Sequence, residues 1–308
     1  MKTSTVLTAF LLTTFCIQVF SQNSIKRKQE VKIPDGQYFG LKTPGLAPEV
    51  FAPDIPAFKE GKVSYAVFAP DGKTFYFQAG DSIYYMKSVR GHWNEPEIAD
   101  FLGKQGKNGC LNISPDGELL LFTNNGDIME CKKNGEGWSS PEKMPEEISS
   151  PKYECGSSIA LDHSVFYGSQ REGTKGACDI FYSKFKDGKY QPPVNLDKFN
   201  TPGSECGVYV SPKQDFIIFT AYGRPENYGI VDMYISFPSK DGLWSTPQNM
   251  GAQINAKDSE WPLSISPDGK YFFFSRYINV SKHTDIYWVD IKVIDAIKKE
   301  AFNPKNTK

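Results

Sequence analysis

The chain has 308 residues, a formal net charge of −1 and three histidines. No charge excess points to nucleic acid or to an anionic membrane surface, and neither is expected as a partner. Aromatic residues make up 14% and stand beside 26 glycines and 21 prolines, a mixture that suits many short strands joined by tight turns.

From the N-terminus, Lys2 supplies a positive charge, Val6 to Phe20 form an apolar stretch, and Val19 and Ser21 are small enough to precede a cut before Gln22. Residues 1–21 therefore read as a secretory signal peptide, too short and wrongly flanked for a membrane span, which places the mature chain in the periplasm or outside the cell. Lipidation at Cys16 is disfavoured by the bulky Phe15 before it. No later apolar run approaches the roughly 20 residues that cross a bilayer. Residues 22–44, with Lys26, Arg27 and Lys28, read as a solvated linker, and residues 293–308 as a C-terminal tail that frays after Ala296.

Between them the chain repeats itself. The marker APDG or SPDG occurs at 69–72, 114–117 and 266–269, with weaker copies ALDH at 160–163 and SPKQ at 211–214. The second residues stand at 70, 115, 161, 212 and 267, so the intervals are 45, 46, 51 and 55, close to the roughly 40 to 50 residues of a four-stranded propeller blade. Each copy predicts an alternating strand A before the marker, a Pro-Asp-Gly turn, and an aromatic strand B such as TFYFQ (74–78) or YFFFSR (271–276). A strand C follows from an Asp, at Asp81, Asp127, Asp179, Asp232 and Asp285. Strand D carries aromatic-x-x-Pro in four copies, Trp93/Pro96, Trp138/Pro141, Tyr190/Pro193 and Trp244/Pro247, and Pro is tolerable there on an edge.

The fifth copy lacks its fourth strand. Pro48, with Phe51 and Ile55 spaced behind it as in the complete copies, predicts that residues 45–51 supply it by pairing with the strand around Ile286 to Val289. The expected fold is all-β: a single five-bladed β-propeller over residues 45–292, closed by this N-terminal strand, which leaves no open edge. Six blades are the alternative, but the chain before Ser64 is barely long enough and poor in strand-like segments.

The SPDGK turn, the aromatic strand and the Asp-Ile-Tyr strand resemble the WD40-like "PD40" propeller repeat of TolB-like bacterial envelope proteins over nearly the whole mature chain. The resemblance implies a propeller and leaves the job open, because such propellers serve many.

Candidate site residues follow from the register. Glu154, Glu205 and Glu260 stand seven residues before their markers, and Arg171, Arg224 and Arg276 stand 10, 12 and 9 after them. Across an antiparallel pair each Glu is expected to meet the Arg of its own blade at the channel mouth. Blades 1 and 2 hold Val63 and Asn108 instead, so any site is biased to blades 3 to 5. The favoured reading is structural, an ion-paired network that ties the B-to-C loop to the blade. Against it stand a pocket whose arginines grip an anionic group bidentately and, last, a general acid–base pair, for which paired carboxylates are expected to have lowered rather than raised pKa values. The longest B-to-C loops are expected at 222–231 and 277–284, where Tyr228 and Tyr277 beside Arg or Lys suit peptide or glycan contact.

Five cysteines remain after the signal, without CxxC spacing, and His92, His163 and His283 do not converge, so no metal and no cofactor is expected. A disulfide between Cys155 and Cys206, equivalent residues in adjacent blades, is conceivable, although packing as small apolar residues is the commoner fate. The sequence assigns no catalytic residue. It points to a monomeric exported binding or scaffold module for a protein, peptide or glycan, with a hydrolase or lyase acting on a polysaccharide at the channel mouth as the alternative.

Overall fold

The computed structural model describes residue 33 and residues 35–59, 61–102, 109–239 and 241–302. The signal segment, Cys16, the start of the linker, Asn108 and the last six residues lie outside the described residues.

Each repeat forms an antiparallel meander. Repeat 1 comprises Val63–Phe68, Thr74–Ala79, Ser82–Val89 and Glu97–Ile98, and repeat 2 comprises Asn112–Ile113, Leu119–Asn124, Asp127–Asn134 and Glu142–Lys143. Repeat 3 comprises Glu154–Ile159, Val165–Ser169, Asp179–Ser183 and Val194–Asn195; repeat 4 comprises Ser204–Val210, Ile217–Tyr222, Val231–Ser236 and Gln248–Asn249. Ser259–Ile265, Tyr271–Ile278 and His283–Asp290 form repeat 5, and Glu49–Val50 adds to its outer edge with Glu49 opposite Trp288 and Val50 opposite Tyr287.

The marker turns work as the sequence chemistry demands. Asp71, Asp116 and Asp268 accept the backbone N–H two residues on, at 2.7, 3.1 and 3.2 Å. In the two weak copies His163 and Gln214 occupy the glycine position with φ of 63° and 59°, a left-handed conformation that costs a residue with a Cβ some strain.

Strand D differs from the expectation in one respect. The residues that pair with strand C follow the proline, and the aromatic residue lies earlier, in a C-to-D hairpin such as Ser88 opposite Trp93 or Lys133 opposite Trp138. Proline has no N–H for the ladder, so pairing resumes only after it.

Between successive repeats the sheet faces bury continuous apolar layers. Tyr76 and Ile83 of repeat 1 pack with Leu120 and Phe122 of repeat 2, and Ile217 and Phe219 of repeat 4 with Phe166 and Ile180 of repeat 3. Phe75 and Phe77 of repeat 1 share a cluster with Phe273 and Trp288 of repeat 5. A hydrogen-bonded seam recurs beside these layers, from the start of strand C to the start of the next strand A. Glu154 N–H donates to Gly126 O at 2.8 Å, Glu205 N–H to Cys178 O at 2.8 Å, and Ile230 N–H to Asp258 O at 3.0 Å. Thr284 of repeat 5 donates in the same way to Gly61 O, at 2.9 Å. At Gly176 and Gly229 the approach is so close that a Cβ would lie 1.9 Å from Gly203 O and 2.2 Å from Asp258 O.

Both flanks pack more tightly than expected. Tyr38 and Phe39, in the supposed linker, are buried against Phe68, Trp93, Tyr271 and Trp288. In place of a fraying tail, Lys292–Ala301 is an α-helix whose Val293 and Ile294 join the layer of Phe237, Met250 and Phe272. Repeat 5 has no C-to-D hairpin of its own, and the helix covers apolar surface of repeats 4 and 5 in its stead. Among the described residues no helix is long and apolar enough to cross a membrane.

Candidate functional site

The three Glu–Arg pairs form within their own repeats. Glu260 pairs with Arg276 across strands A and B, with Arg276 Nε 2.8 Å from Glu260 Oε1; Arg224 Nε and Nη2 both lie 3.2 Å from Glu205 Oε1, and Arg171 Nη2 lies 3.6 Å from Glu154 Oε1. Each arginine then reaches beyond its pair to the segment that enters its repeat from the preceding strand D. Arg171 Nη2 donates to Ile148 O at 2.7 Å, Arg276 Nη2 to Ile254 O at 2.8 Å, and Arg224 Nη2 to Phe199 O. Their guanidinium carbons lie 5.1 Å from the ring centre of Tyr167, 4.3 Å from that of Tyr234 and 4.5 Å from that of Tyr287. A planar cation fixed on three sides in this way acts as a strut.

Their carboxylates are inaccessible: Glu154, Glu205 and Glu260 are fully buried, and Oε2 of Glu154 and of Glu260 has no protein hydrogen-bond partner. Burial pushes all three above the ordinary carboxylate range despite the arginines, Glu260 to about 7. This corrects the expectation of lowered values, because desolvation of a buried carboxylate outweighs its single cationic neighbour. A raised pKa is what a general acid needs, but these groups present no face to a substrate.

The strand-C aspartates of repeats 3 and 4, Asp179 and Asp232, are also buried, and they cap their loops. Asp179 accepts Lys175 N–H at 2.9 Å and Gly176 N–H at 3.3 Å, while Asp232 accepts Tyr228 N–H at 2.7 Å and Gly229 N–H at 2.9 Å. Behind each stands an amide relay absent from the sequence reading. Asn195 and Asn249 donate to these aspartates at 2.8 and 2.7 Å, and Asn200 and Asn255 donate to them in turn at 2.7 and 2.8 Å. Asn200 also bridges the backbone N–H and C=O of Ile180, and Asn255 those of Met233.

On this framework the loop of repeat 4 holds its apolar side chains out into solvent: Tyr222 is 55% exposed, Tyr228 56% and Ile230 49%. Tyr277 is not on a long loop. Strands B and C of repeat 5 pair through Tyr277–Thr284 to Ile278–His283, leaving only residues 279–282 as the turn, and Tyr277 is half-buried. The long excursion that the sequence did not single out lies in repeat 3, between Ser169 and Asp179.

Cys155 and Cys206 are close and free, as are Cys110, Cys131 and Cys178. Hydrogen bonding with Cys178, together with burial, pushes the Cys155 thiol well above its usual value, and bonding with Cys155 and burial do the same to Cys206. Disulfide exchange requires the thiolate, so thiols held in these environments exchange slowly. Among the described residues no group of His, Cys, Asp or Glu side chains is arranged to hold a metal ion.

No protein-family model matches the chain, and no curated relative matches it. Solved structures do. A TolB from Agrobacterium tumefaciens is 20% identical, with 75% of this chain and 78% of that one covered and a TM-score of 0.50. A glycoside hydrolase is 10% identical, with 84% and 90% covered and a TM-score of 0.50. At such identities the likeness is one of fold: the chain has an all-β propeller fold like that of these structures.

Proposed function

We propose that the chain is an exported, monomeric, five-bladed propeller of PD40-type repeats, secreted or periplasmic, that binds a protein, peptide or glycan on the face bearing its B-to-C loops. The observation that carries this reading is the loop of repeat 4. Two tyrosines and an isoleucine stand about half exposed on a backbone held by Asp232, Asn227 and Arg224, and large side chains on a preorganised loop favour recognition because little entropy is lost on binding. Closure of the ring is supported by the pairing of Glu49–Val50 with strand C of repeat 5 and by the recurrence of the Gly61–Thr284 seam between the last repeat and the first.

Glu154, Arg171, Glu205, Arg224, Glu260 and Arg276 shape that face from beneath, while Tyr228 of the repeat 4 loop and the half-buried Tyr277 of repeat 5 meet the ligand. A hydrolase or lyase at the channel mouth gains nothing from these residues, since each carboxylate is buried against its own arginine. Glycan and peptide arrays probed with the wild type and with the Tyr222→Ala/Tyr228→Ala double variant test the reading. Binding that is lost in the variant upholds it, and equal binding by both proteins removes this loop as the site.

A further inference from the structure

The aromatic residue of each C-to-D hairpin lies back on the preceding repeat or its flank. Trp138 Nε1 donates to the Tyr76 hydroxyl at 2.9 Å, Trp244 packs 6.0 Å from Phe199 and 6.3 Å from Phe166, and Trp93 lies 4.7 Å from Phe39. At the seam between repeats 2 and 3 the residue is Tyr190, whose ring contact is with Phe185 of its own hairpin, at 5.0 Å. Cavities beside Trp138 and Trp244 measure about 200 Å3 each, and the one beside Tyr190 about 420 Å3. The smaller ring accounts for part of the difference. The rest follows from the hairpin itself: strand C of repeat 3 stops at Ser183 and Phe185–Lys186 begins a separate pair, whereas in repeats 1 and 2 strand C runs unbroken into its hairpin.

We propose that this cavity binds the indole of a tryptophan carried by a peptide ligand. Equivalent seams take the chain's own indoles, so the architecture already fits that ring. Leu119, Pro145, Phe185 and Tyr190 supply apolar and aromatic walls, and the volume falls in the range of small-ligand pockets, about 300–1,000 Å3. Among the described residues the Tyr190 hydroxyl makes no hydrogen bond, and it offers an acceptor of the kind that Tyr76 offers Trp138. The rim carries both signs, with Lys189 on one side and the Glu130–Lys132 ion pair, 3.3 Å apart, on the other. That pattern suits a peptide backbone with mixed flanking charges better than a uniformly charged ligand. The cavity shares no residue with the loop face, so the two proposals stand or fall separately.

Titration of the wild-type protein with N-acetyl-L-tryptophanamide and with a short tryptophan-containing peptide, followed by ligand-observed NMR, tests the proposal. Saturable binding is expected, with the peptide tighter. Tyr190→Trp fills the seam as its neighbours do and weakens binding about tenfold or more, with an unchanged circular dichroism spectrum. Should that variant not fold, Phe185→Ala, which removes one wall at a half-exposed position, carries the same expectation. Absence of saturable binding, equal affinity in wild type and variant, or binding of cellobiose in place of the indole overturns it.

Discussion

Repeats 2 and 4 finish the same face of the molecule by different means. In repeat 2 strands B and C join through Asn125 and Gly126, with φ of 53° and 89°, and pair to the last residue, Asn124 opposite Asp127. Such a turn satisfies its own backbone. In repeat 4 the residues between Tyr222 and Val231 form no ladder, and Asp232, Asn227, Asn249 and Arg224 tie them down instead. The buried aspartates and amides of repeats 3 and 4 thus follow from loop length: backbone groups released from a sheet must find partners, and here side chains provide them. The residues that look most like a catalytic cluster are the ones that make an exposed loop stiff.

The comparison breaks most sharply at Arg224. Arg224→Ala leaves Glu205 buried without its cation and is expected to cost about 3–5 kcal/mol; urea unfolding measures it, and Glu205→Gln on the same background should recover part of the loss. Next comes pH. Glu260 keeps its proton up to about 7 when folded and loses it near the ordinary 4.5 when unfolded. Stability from this group is therefore complete below about pH 4.5 and declines as pH rises through 7, by no more than about 3 kcal/mol. Glu154 and Glu205 act in the same direction. At Asp268 burial raises the pKa, but hydrogen bonds from Tyr38, Ser266 and Lys270 win and hold it near 2, so its contribution is lost only as pH falls from about 3.8 toward 2. Melting temperatures across this range should peak in mild acid, with a flatter neutral limb in Glu260→Gln. Smallest is the turn of repeat 2: Gly126→Ala forces a Cβ onto positive φ and to 2.7 Å from the Tyr153 ring, at about 1–3 kcal/mol, and thermal unfolding should register the loss without a change in loop-face binding.

The Glu–Arg pairing was legible because a tight turn fixes antiparallel register: it sets Arg276 opposite Glu260, while Arg171 and Arg224 stand two and three residues beyond the partners of Glu154 and Glu205 and reach back to them. The N-terminal strand was legible from the proline and the apolar positions behind it. The amide relay was written in the chain as well, as VNLDKFN at 194–200 and QNMGAQIN at 248–255, but one extra residue in the second copy shifts the asparagines out of register. The pKa direction was hidden for a different reason: spacing reveals a charge partner and says nothing of how dry the pair is. Tyr277 was misplaced because the pairing of strands B and C in repeat 5 runs farther than turn residues indicate, and the helix at 292–301 was missed because its apolar residues are few and matter only against the neighbouring sheets.

One feature of the final sheet bears on mechanical behaviour. Gly45 O accepts Asp290 N–H at 3.0 Å, and Phe51 N–H donates to Ile286 O at 2.7 Å, with Glu49 and Val50 paired between them. The strands run antiparallel, so the two chain ends leave this ladder from the same side. Once the packing of Tyr38 and Phe39 and of the helix at 292–301 has given way, tension applied across the ends therefore peels the bonds apart in succession, Gly45 first, instead of shearing them together.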